Sequence, residues 1–316
     1  MTRFILRRML STIGVLFAIS VLTFLVFEAI PNGDPALRLG GRLASASELA
    51  NIRHEYGFDE PIYVQYVDTM GKILDGSVVS YAQGLNIEQQ IGRELPVTLS
   101  LAIGAGFIWL GFGILFGVLT AIRAGRWLDR VLTVLALIGV SSPVFFLGAL
   151  VLYYAGFKAG IIPLGGYVPL TEDPVGWFTH LIAPWLVLSV LFVGLYSRVL
   201  RSSILDTLGE DFVRTARAKG LSERQVLIRH VLRNSLIPII SLWGLDFAQV
   251  IGGGAILTES VFNLHGVGQF AFESIGRLDI PSVLVIVMLT AFAVVLLSAL
   301  SDILYAALDP RIRLSS

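Results

Sequence analysis

Six stretches of about twenty mostly apolar residues run through this chain of 316 residues. An α-helix needs roughly 20 apolar residues to cross the hydrocarbon core of a bilayer. Only 15% of the residues are charged, whereas soluble domains average about 25%. The sequence therefore predicts an all-α integral membrane protein with about six transmembrane helices. The expected spans are residues 9–30, 96–121, 131–155, 180–196, 236–257 and 281–304.

The basic residues between the spans predict their orientation. The first span has a basic lead like that of a signal peptide, but its apolar core is too long and no A-x-A site follows, so we expect an uncleaved helix. Lys and Arg concentrate at both ends of the chain, after the second span and before the fifth, and such segments stay in the cytoplasm. The predicted parts are a cytoplasmic N-terminus with the first helix (1–30), an extracytoplasmic lobe (31–95), a transmembrane domain (96–305) with a cytoplasmic loop (201–233), and a cytoplasmic tail (306–316).

The lobe between the first two spans is too long for a turn and too charged for a span. Residues 45–56 and 61–74 have the composition of helices, the first with a serine cap. Gly57 and Gly76 follow them and are expected to end them. Two roles stay open for this small folded lobe: a structural cap on the spans, or a docking surface for an external partner.

The most informative stretch lies before the fifth span, from Leu208 to Gln225. Acidic residues stand at its start and basic residues follow, which is the order that a helix dipole favours. Gly220 can adopt the left-handed conformation that ends a helix, and Ser222 with Gln225 matches a capping box. We predict a short helix, a glycine turn and a second helix that runs into the span. Such a segment acts either as a lever under a partner protein or as a basic loop held by anionic lipid head groups.

Polar side chains are few inside the apolar spans. Asp246 is the only ionisable residue deep in a span, and Gln249 follows it by one turn. Ionisable residues within a membrane usually face an interior or a cavity. We predict that Asp246, Gln249 and Glu259 contribute to a substrate pathway. The alternatives for Asp246 are a bond to a partner subunit and a hydrogen bond between two helices of this chain.

Glycine and proline indicate where the spans pack closely and where they bend. Gly113 and Gly117, four positions apart, permit close helix packing. The glycines at 252–254 permit the same and also a bend in the fifth span. Kinks are expected in or beside the spans at Pro143, Pro184 and Pro238.

Several functional classes lack their signatures in this sequence. The chain has no cysteine, which excludes disulfides and thiolate metal sites. No G-x-x-x-x-G-K-[ST] phosphate loop occurs, so ATP must bind elsewhere if it is used. No H-E-x-x-H or G-x-S-x-G motif indicates an enzyme. We expect no catalytic site, no metal and no nucleic-acid partner.

The stretch Arg-Thr-Ala-Arg-Ala-Lys-Gly at 214–220 resembles the "Glu-Ala-Ala" loop of ATP-binding cassette importer permeases. It is closest to the variant in peptide, nickel and glutathione importers, and Arg214 stands where the loop's name has glutamate. Further matches to this family follow in order along nearly the whole chain. They lie at 32–36, 56–61, 65–66, 95–99, 233–238, 258–262, 266–268, 279–281 and 308–311.

The resemblance implies a specific assembly in the inner membrane of a prokaryote. Two permeases, usually a heterodimer, form a pathway with alternating access. Two cytoplasmic ATPase subunits hold ATP and Mg, and an extracytoplasmic solute-binding protein delivers the substrate. We expect a peptide, and nickel, glutathione and some sugars stay open as alternatives. This chain resembles the first of the two permeases, and an ion-coupled secondary transporter, a channel or a membrane assembly scaffold are the alternatives. The ATPase-coupling residues implied by the loop are Arg214, Thr215, Ala216, Arg217, Ala218, Lys219, Gly220 and Leu221.

Overall fold

The computed structural model describes residues 2–29, 35–41 and 44–308, which are mostly helical. Within these ranges the one strand-like pairing is an antiparallel bridge between Val79 and Asn86. The α-helices are α1 Thr2–Ala29, α2 Pro35–Gly40, α3 Ala46–Tyr56, α4 Ile62–Asp75, α5 Ile87–Ile122, α6 Trp127–Ser141, α7 Val144–Val151, α8 Pro174–Leu208, α9 Asp211–Ala218, α10 Glu223–Val226, α11 Leu232–Ser235, α12 Ile237–Gln249, α13 Ile256–Val261, α14 Val267–Gly276 and α15 Ile280–Leu308. Three π-helical segments, Leu152–Lys158, Leu227–Val231 and Val250–Gly254, follow α7, α10 and α12. The end of the first predicted span at Ile30, most of the motif at 32–36 and nearly all of the tail 306–316 lie outside the described residues.

Among the described residues, four helices are long and apolar enough to cross a membrane: Ile87–Ile122, Pro174–Leu208, Ile237–Gly254 and Ile280–Ala299. A fifth span results if α6 and the helix Val144–Lys158 are counted together. The first predicted span falls in α1, whose described apolar part is shorter. The prediction of an all-α membrane protein is confirmed. Its count of about six spans is met if α1 and the bent pair each cross the membrane once.

The third predicted span, residues 131–155, is divided into two helices. Its two halves meet at an angle of 101° across Ser142 and Pro143. Proline has no backbone N–H to donate, and it forces the preceding residue into an extended conformation, seen as ψ 127° at Ser142. The predicted kink at Pro143 is confirmed, whereas Pro184 lies inside the continuous helix α8 and Pro238 lies in the first turn of α12.

The residues form two compact units by their internal contacts. One comprises Met1–Pro96 with Gln269–Phe292, and the other comprises Val97–Gly268 with Ala293–Ser316. In the second unit, a Cβ added at Gly113 would lie 2.6 Å from the Cβ of Tyr196, and one at Gly117 would lie 2.8 Å from that of Leu200. These distances confirm that this glycine pair lets α5 pack closely against α8.

The fifth span ends in its run of glycines. Gly253 has φ 128° inside the π-helical segment, a conformation that residues with a side chain rarely adopt. The helix kinks there and α13 begins at Ile256. The predicted bend at 252–254 is therefore confirmed.

The first unit contains the lobe expected between the first two spans, described at 35–41 and from residue 44 onward. Ser45 and Glu48 form a capping box at the start of α3, and Gly57 ends that helix at φ 72°. Gly76 ends α4 with the same φ of 72°. Both predicted helices and both glycine ends are confirmed.

Candidate functional site

The 209–236 segment, which joins α8 to α12, contains the predicted helix–turn–helix. Its first helix, α9, has two different faces. Val213 and Ala216, three positions apart on one face, are 0% and 4% exposed and belong to the hydrophobic core of the second unit. The remaining residues of α9 are exposed. The helix therefore packs its apolar face on the chain's own core and presents a polar face outward.

The turn after α9 is a Schellman motif at Gly220. Gly220 has φ 81°, and its N–H donates to the Arg217 carbonyl at 2.9 Å. The Leu221 N–H donates to the Ala216 carbonyl at 3.4 Å. These two bonds satisfy carbonyls that the helix end leaves unpaired. No described atom lies within 4 Å of a Cβ added at Gly220, so the backbone conformation, rather than crowding, requires glycine here.

The second helix of the segment begins with the predicted capping box. The Gln225 N–H donates to Ser222 Oγ at 3.4 Å, and the Ser222 N–H donates to Gln225 Oε1 at 3.1 Å. An ion pair that the sequence analysis missed spans the turn. Arg217 Nε and Nη2 donate to the two carboxylate oxygens of Glu223 at 2.9 and 3.2 Å. Since a bidentate pair restrains orientation as well as distance, it holds α9 against α10.

The far end of the segment is fixed to α8. Ser235 is fully buried, and its Oγ donates to the Ser203 carbonyl at 3.2 Å and to Thr207 Oγ1 at 3.1 Å. Val226 and Val231 are also fully buried. The 209–236 segment is thus anchored along its length to the chain's own core and to the end of α8.

A second ion pair fixes α6 to α8 near the same end of α8. Arg201 Nε and Nη2 each donate to an oxygen of Asp129 at 2.8 Å. Asp129 is only 4% exposed, and it also accepts the Gly125 N–H at 2.8 Å. A buried carboxylate of this kind needs a partner charge. This pair is not predictable from sequence patterns, because its members are 72 positions apart.

Six of the eight predicted ATPase-coupling residues are exposed. They are Arg214, Thr215, Arg217, Ala218, Lys219 and Gly220. The side chain of Ala216 packs in the chain's own core, and its coupling role stays a prediction that its burial does not favour. Leu221 is half-buried against the same core.

Phe212 was absent from the predicted set but exposes 41% of its surface on α9. Phe212, Thr215 and Lys219 follow one another at helical spacing and share one face. Exposed aromatic residues are enriched at the centres of protein interfaces. The sequence contained a signal for this exposure, because Phe212 precedes Val213 and adjacent residues of a helix point in directions about 100° apart.

Asp246 takes part in a hydrogen bond between two helices. Tyr196 Oη on α8 donates to Asp246 Oδ2 at 2.8 Å. Asp246 is only partly buried, and Gln249 is exposed. The alternative of a hydrogen bond within this chain is therefore realised. The pathway role of Asp246 and Gln249 stays a prediction.

Glu259 lies in a different environment, with no exposed surface. Thr98 Oγ1 donates to Glu259 Oε1 at 2.7 Å and accepts the Val267 N–H at 2.9 Å. A Cβ at Gly266 would lie 2.5 Å from the carboxyl carbon of Glu259, so glycine leaves the room that this side chain occupies. These contacts make Glu259 a buried joint between α5, α13 and the start of α14. Its pathway role also stays a prediction, which its burial does not favour.

Among the described residues no three His, Asp or Glu side chains form a group that could hold a metal ion. The candidate site is an exposed polar surface on a chain whose apolar helices are long enough to cross a membrane. These features define the class of multi-pass membrane transport subunits that work with other proteins.

The chain belongs to the family of binding-protein-dependent transport system inner membrane components, which it matches over residues 113–314. The N-terminal family of the same transport systems matches residues 1–102. The resemblance of the sequence motifs to this family is confirmed. The chain is therefore an inner-membrane component of an ATP-binding cassette importer, which works with ATPases and a binding protein, and the alternatives of a channel, an ion-coupled carrier and a scaffold are wrong.

Whole-length relatives include permeases of several bacteria. A probable peptide ABC transporter permease of Sinorhizobium fredii is 37% identical over 98% of this chain and 99% of its own length. A putative peptide transport system permease of Brucella abortus is 36% identical over 99% of each chain. The glutathione transport system permease of Salmonella typhimurium is 35% identical, again over 99% of each chain.

Two solved ABC transporter structures contain chains that are similar in fold to this chain. A chain from inward-facing conformations of the MetNI methionine ABC transporter aligns with a TM-score of 0.54 at 18% identity, over 70% of this chain and 97% of its own. A chain of an amino acid ABC transporter with histidines aligns with a TM-score of 0.52 at 15% identity, over 69% and 94%.

Proposed function

We propose that this chain is the first of two pore-forming permeases of an ATP-binding cassette importer for short peptides. The observation that carries this proposal is the whole-length similarity to permeases named for peptide transport, at 36–37% identity over 98–99% of this chain. The distribution of Lys and Arg supports cytoplasmic termini, which puts the N-terminal lobe and its cap or docking role on the outer side of the membrane.

The proposed assembly has four core subunits. A second, similar permease completes the pathway, and two cytoplasmic ATPases bind ATP with Mg. A solute-binding protein delivers the peptide from outside. This chain has no catalytic site of its own, and the lack of a phosphate loop in its sequence supports ATP hydrolysis in the partner subunits.

The 209–236 segment transmits the force of ATP binding to the spans. The exposed face of α9, with Phe212, Thr215 and Lys219, sits in a cleft of an ATPase subunit. Closure of the ATPase pair moves α9. The Schellman turn and the Arg217–Glu223 pair carry this motion into α10, and Ser235 carries it to α8, so the spans on both sides tilt together.

The substrate path runs beside the fifth span in this proposal. Asp246 and Gln249 supply polar groups that remain accessible, and the Tyr196 hydrogen bond orients the Asp246 carboxylate. A carboxylate within the membrane can compensate the positive charge of a peptide's ammonium group. Glu259 has an indirect role in this path: it is buried, so it does not contact the substrate, and it fixes the helices that lie beside the path.

ATP-dependent uptake by the reconstituted complex tests the proposed function. Purified permeases and ATPases in proteoliposomes should accumulate radiolabelled trialanine only with ATP and the binding protein. Omission of either component is the internal control. Equal accumulation without ATP would contradict the proposal.

Glutathione is the second candidate substrate, because glutathione permeases of Salmonella are 35% identical over 99% of this chain. Excess unlabelled glutathione in the same uptake assay distinguishes the two. In a peptide importer, the competitor should reduce trialanine uptake only slightly. A glutathione importer should instead accumulate radiolabelled glutathione and no trialanine.

A further inference from the structure

A cleft of about 740 Å³ lies in the N-terminal lobe, lined by α3, α4 and the loop that follows α4. Its volume falls within the roughly 300–1,000 Å³ that is usual for small-molecule sites. Phe24 and Leu284, which are both buried and belong to the same compact unit, complete its apolar wall. The coupling mechanism does not use this cleft.

Three aromatic rings cluster in the cleft wall. Tyr56 and Phe58 stack with ring centroids 5.8 Å apart and an interplanar angle of 14°. Tyr81 meets them nearly at right angles, with centroid distances of 5.3 Å to Tyr56 and 5.5 Å to Phe58. The face of an aromatic ring attracts an organic cation by about 0.5–2 kcal/mol, depending on how far the cation is desolvated.

Tyr81 is held in position by Asp279, which is 2% exposed. The Tyr81 N–H donates to Asp279 Oδ1 at 3.0 Å. The hydroxyls of Ser80 and Ser282 donate to Oδ2 at 2.5 and 2.6 Å. Burial, aided by Tyr56 and by the carboxylates of Asp279 and Asp68, raises the pKa of Tyr81 to about 12. The ring is therefore fixed in position and uncharged.

Charged groups of both signs line the same cleft. Glu55, Glu60 and Asp68 are acidic, and Arg53 and Lys72 are basic. Asp68 is paired with Lys72, whose Nζ lies 2.6 Å from its carboxylate. The wall thus offers carboxylates beside aromatic rings for an ammonium group.

We propose that this cleft binds a short peptide through its ammonium group, which lies at the aromatic cluster and Glu60. The proposal rests on the proposed function, because that function puts the lobe outside the membrane and names peptides as the substrate. The site belongs to the permease itself. It is separate from the pathway residues Asp246 and Gln249.

Equilibrium binding to the purified permease–ATPase complex in nanodiscs, without the binding protein, tests the proposal. The probes are radiolabelled trialanine and the same peptide acetylated and amidated, which carries no terminal charge. The charged peptide should bind saturably, and the capped peptide at least about tenfold more weakly, which corresponds to about 1.4 kcal/mol. A capped peptide that binds equally well, or no saturable binding of trialanine, overturns the proposal.

Two variants and a matched control locate the site. Phe58→Leu and Glu60→Gln should each weaken trialanine binding by about fivefold, within the range of one cation–π contact or one charge-assisted bond. Tyr63→Leu is the control, because Tyr63 is 72% exposed in the same lobe and does not line the cleft. Retained basal ATPase activity shows that each variant is folded. A control variant that loses as much affinity as Phe58→Leu overturns the assignment.

Uptake measured in parallel separates this inference from the proposed function. If the full system takes up peptide normally but the cleft binds none, the proposed cleft site is wrong and the proposed importer function remains supported. Saturable cleft binding that the variants weaken, without ATP-dependent uptake, supports the site and overturns the importer.

Discussion

The 209–236 segment differs from the long helices of the second unit in its hydrogen bonds. The difference lies in how far apart in the sequence the bonded residues are and in how exposed they are. At the turn between α9 and α10, the hydrogen-bond partners are three to six positions apart, as in the Ser222–Gln225 box and the Arg217–Glu223 pair, and they are exposed. In the helices, the Tyr196–Asp246 bond joins residues 50 positions apart and the Thr98–Glu259 bond joins residues 161 apart. The local, exposed bonds order a surface, which the proposed function assigns to contact with an ATPase subunit. The long-range bonds give an interior whose geometry depends on the whole bundle.

The largest expected effect comes from Gly220→Glu. The new side chain enters open space at a positive φ, and its charge would stand on the surface offered to the ATPase. Uptake and stimulated ATPase activity should fall by at least about tenfold, or about 1.4 kcal/mol of coupling. Gly160→Glu is the matched control, because Gly160 has φ 62° and is equally free of neighbours. Equal losses in both variants would mean that strain, not contact, is responsible.

Thr98→Val tests the buried arrangement. Valine keeps the shape but removes the hydroxyl that donates to Glu259 and accepts from Val267. Leaving buried polar groups unsatisfied costs about 1–3 kcal/mol, which thermal unfolding in detergent should detect. Thr98→Ser retains the hydroxyl and should lose much less. A Thr98→Val protein as stable as wild type would show that this joint is unimportant.

A pair of substitutions separates the two roles of Asp246. Tyr196→Phe removes the hydrogen bond and should lower stability by about 0.6–1.7 kcal/mol, the range for bonds between membrane helices. Asp246→Asn keeps an acceptor oxygen but removes the charge. Peptide uptake should fall severalfold in Asp246→Asn with little change in stability. If Asp246→Asn changes neither uptake nor stability, Asp246 does not contribute to the pathway.

The smallest expected effect comes from Arg217→Gln. The pair with Glu223 is exposed, so its loss should cost about 0.2–1 kcal/mol and reduce uptake by less than about twofold. Because salt screens exposed charges, the difference from wild type should shrink at high ionic strength. A complete loss of uptake would instead assign Arg217 to direct contact with the ATPase.

Local chemistry explains what the sequence could predict. Gly220, Ser222 and Gln225 lie within a few positions of one another, and their turn and capping geometry do not depend on distant residues. The burial of Ala216 was also readable from its spacing to Val213, but alanine is small enough to suit a core or an interface equally well.

Contacts distant in the chain explain what the sequence could not predict. Nothing near Asp129 indicates that Arg201 will neutralise it, and nothing near Glu259 indicates Thr98. Pro143 correctly indicated a kink, but the angle of 101° depends on what the neighbouring helices can accommodate. The family resemblance supplied the fold and the class of transporter, because its motifs recur in order along the chain.

Cysteine crosslinking tests the central claim most directly, because the natural chain has no cysteine. In the assembled transporter, Thr215→Cys should crosslink to an ATPase subunit, whereas Ala216→Cys, next to it but buried, should not. The result that contradicts the account is a Thr215→Cys protein that forms no crosslink and is labelled by an impermeant maleimide from outside intact cells.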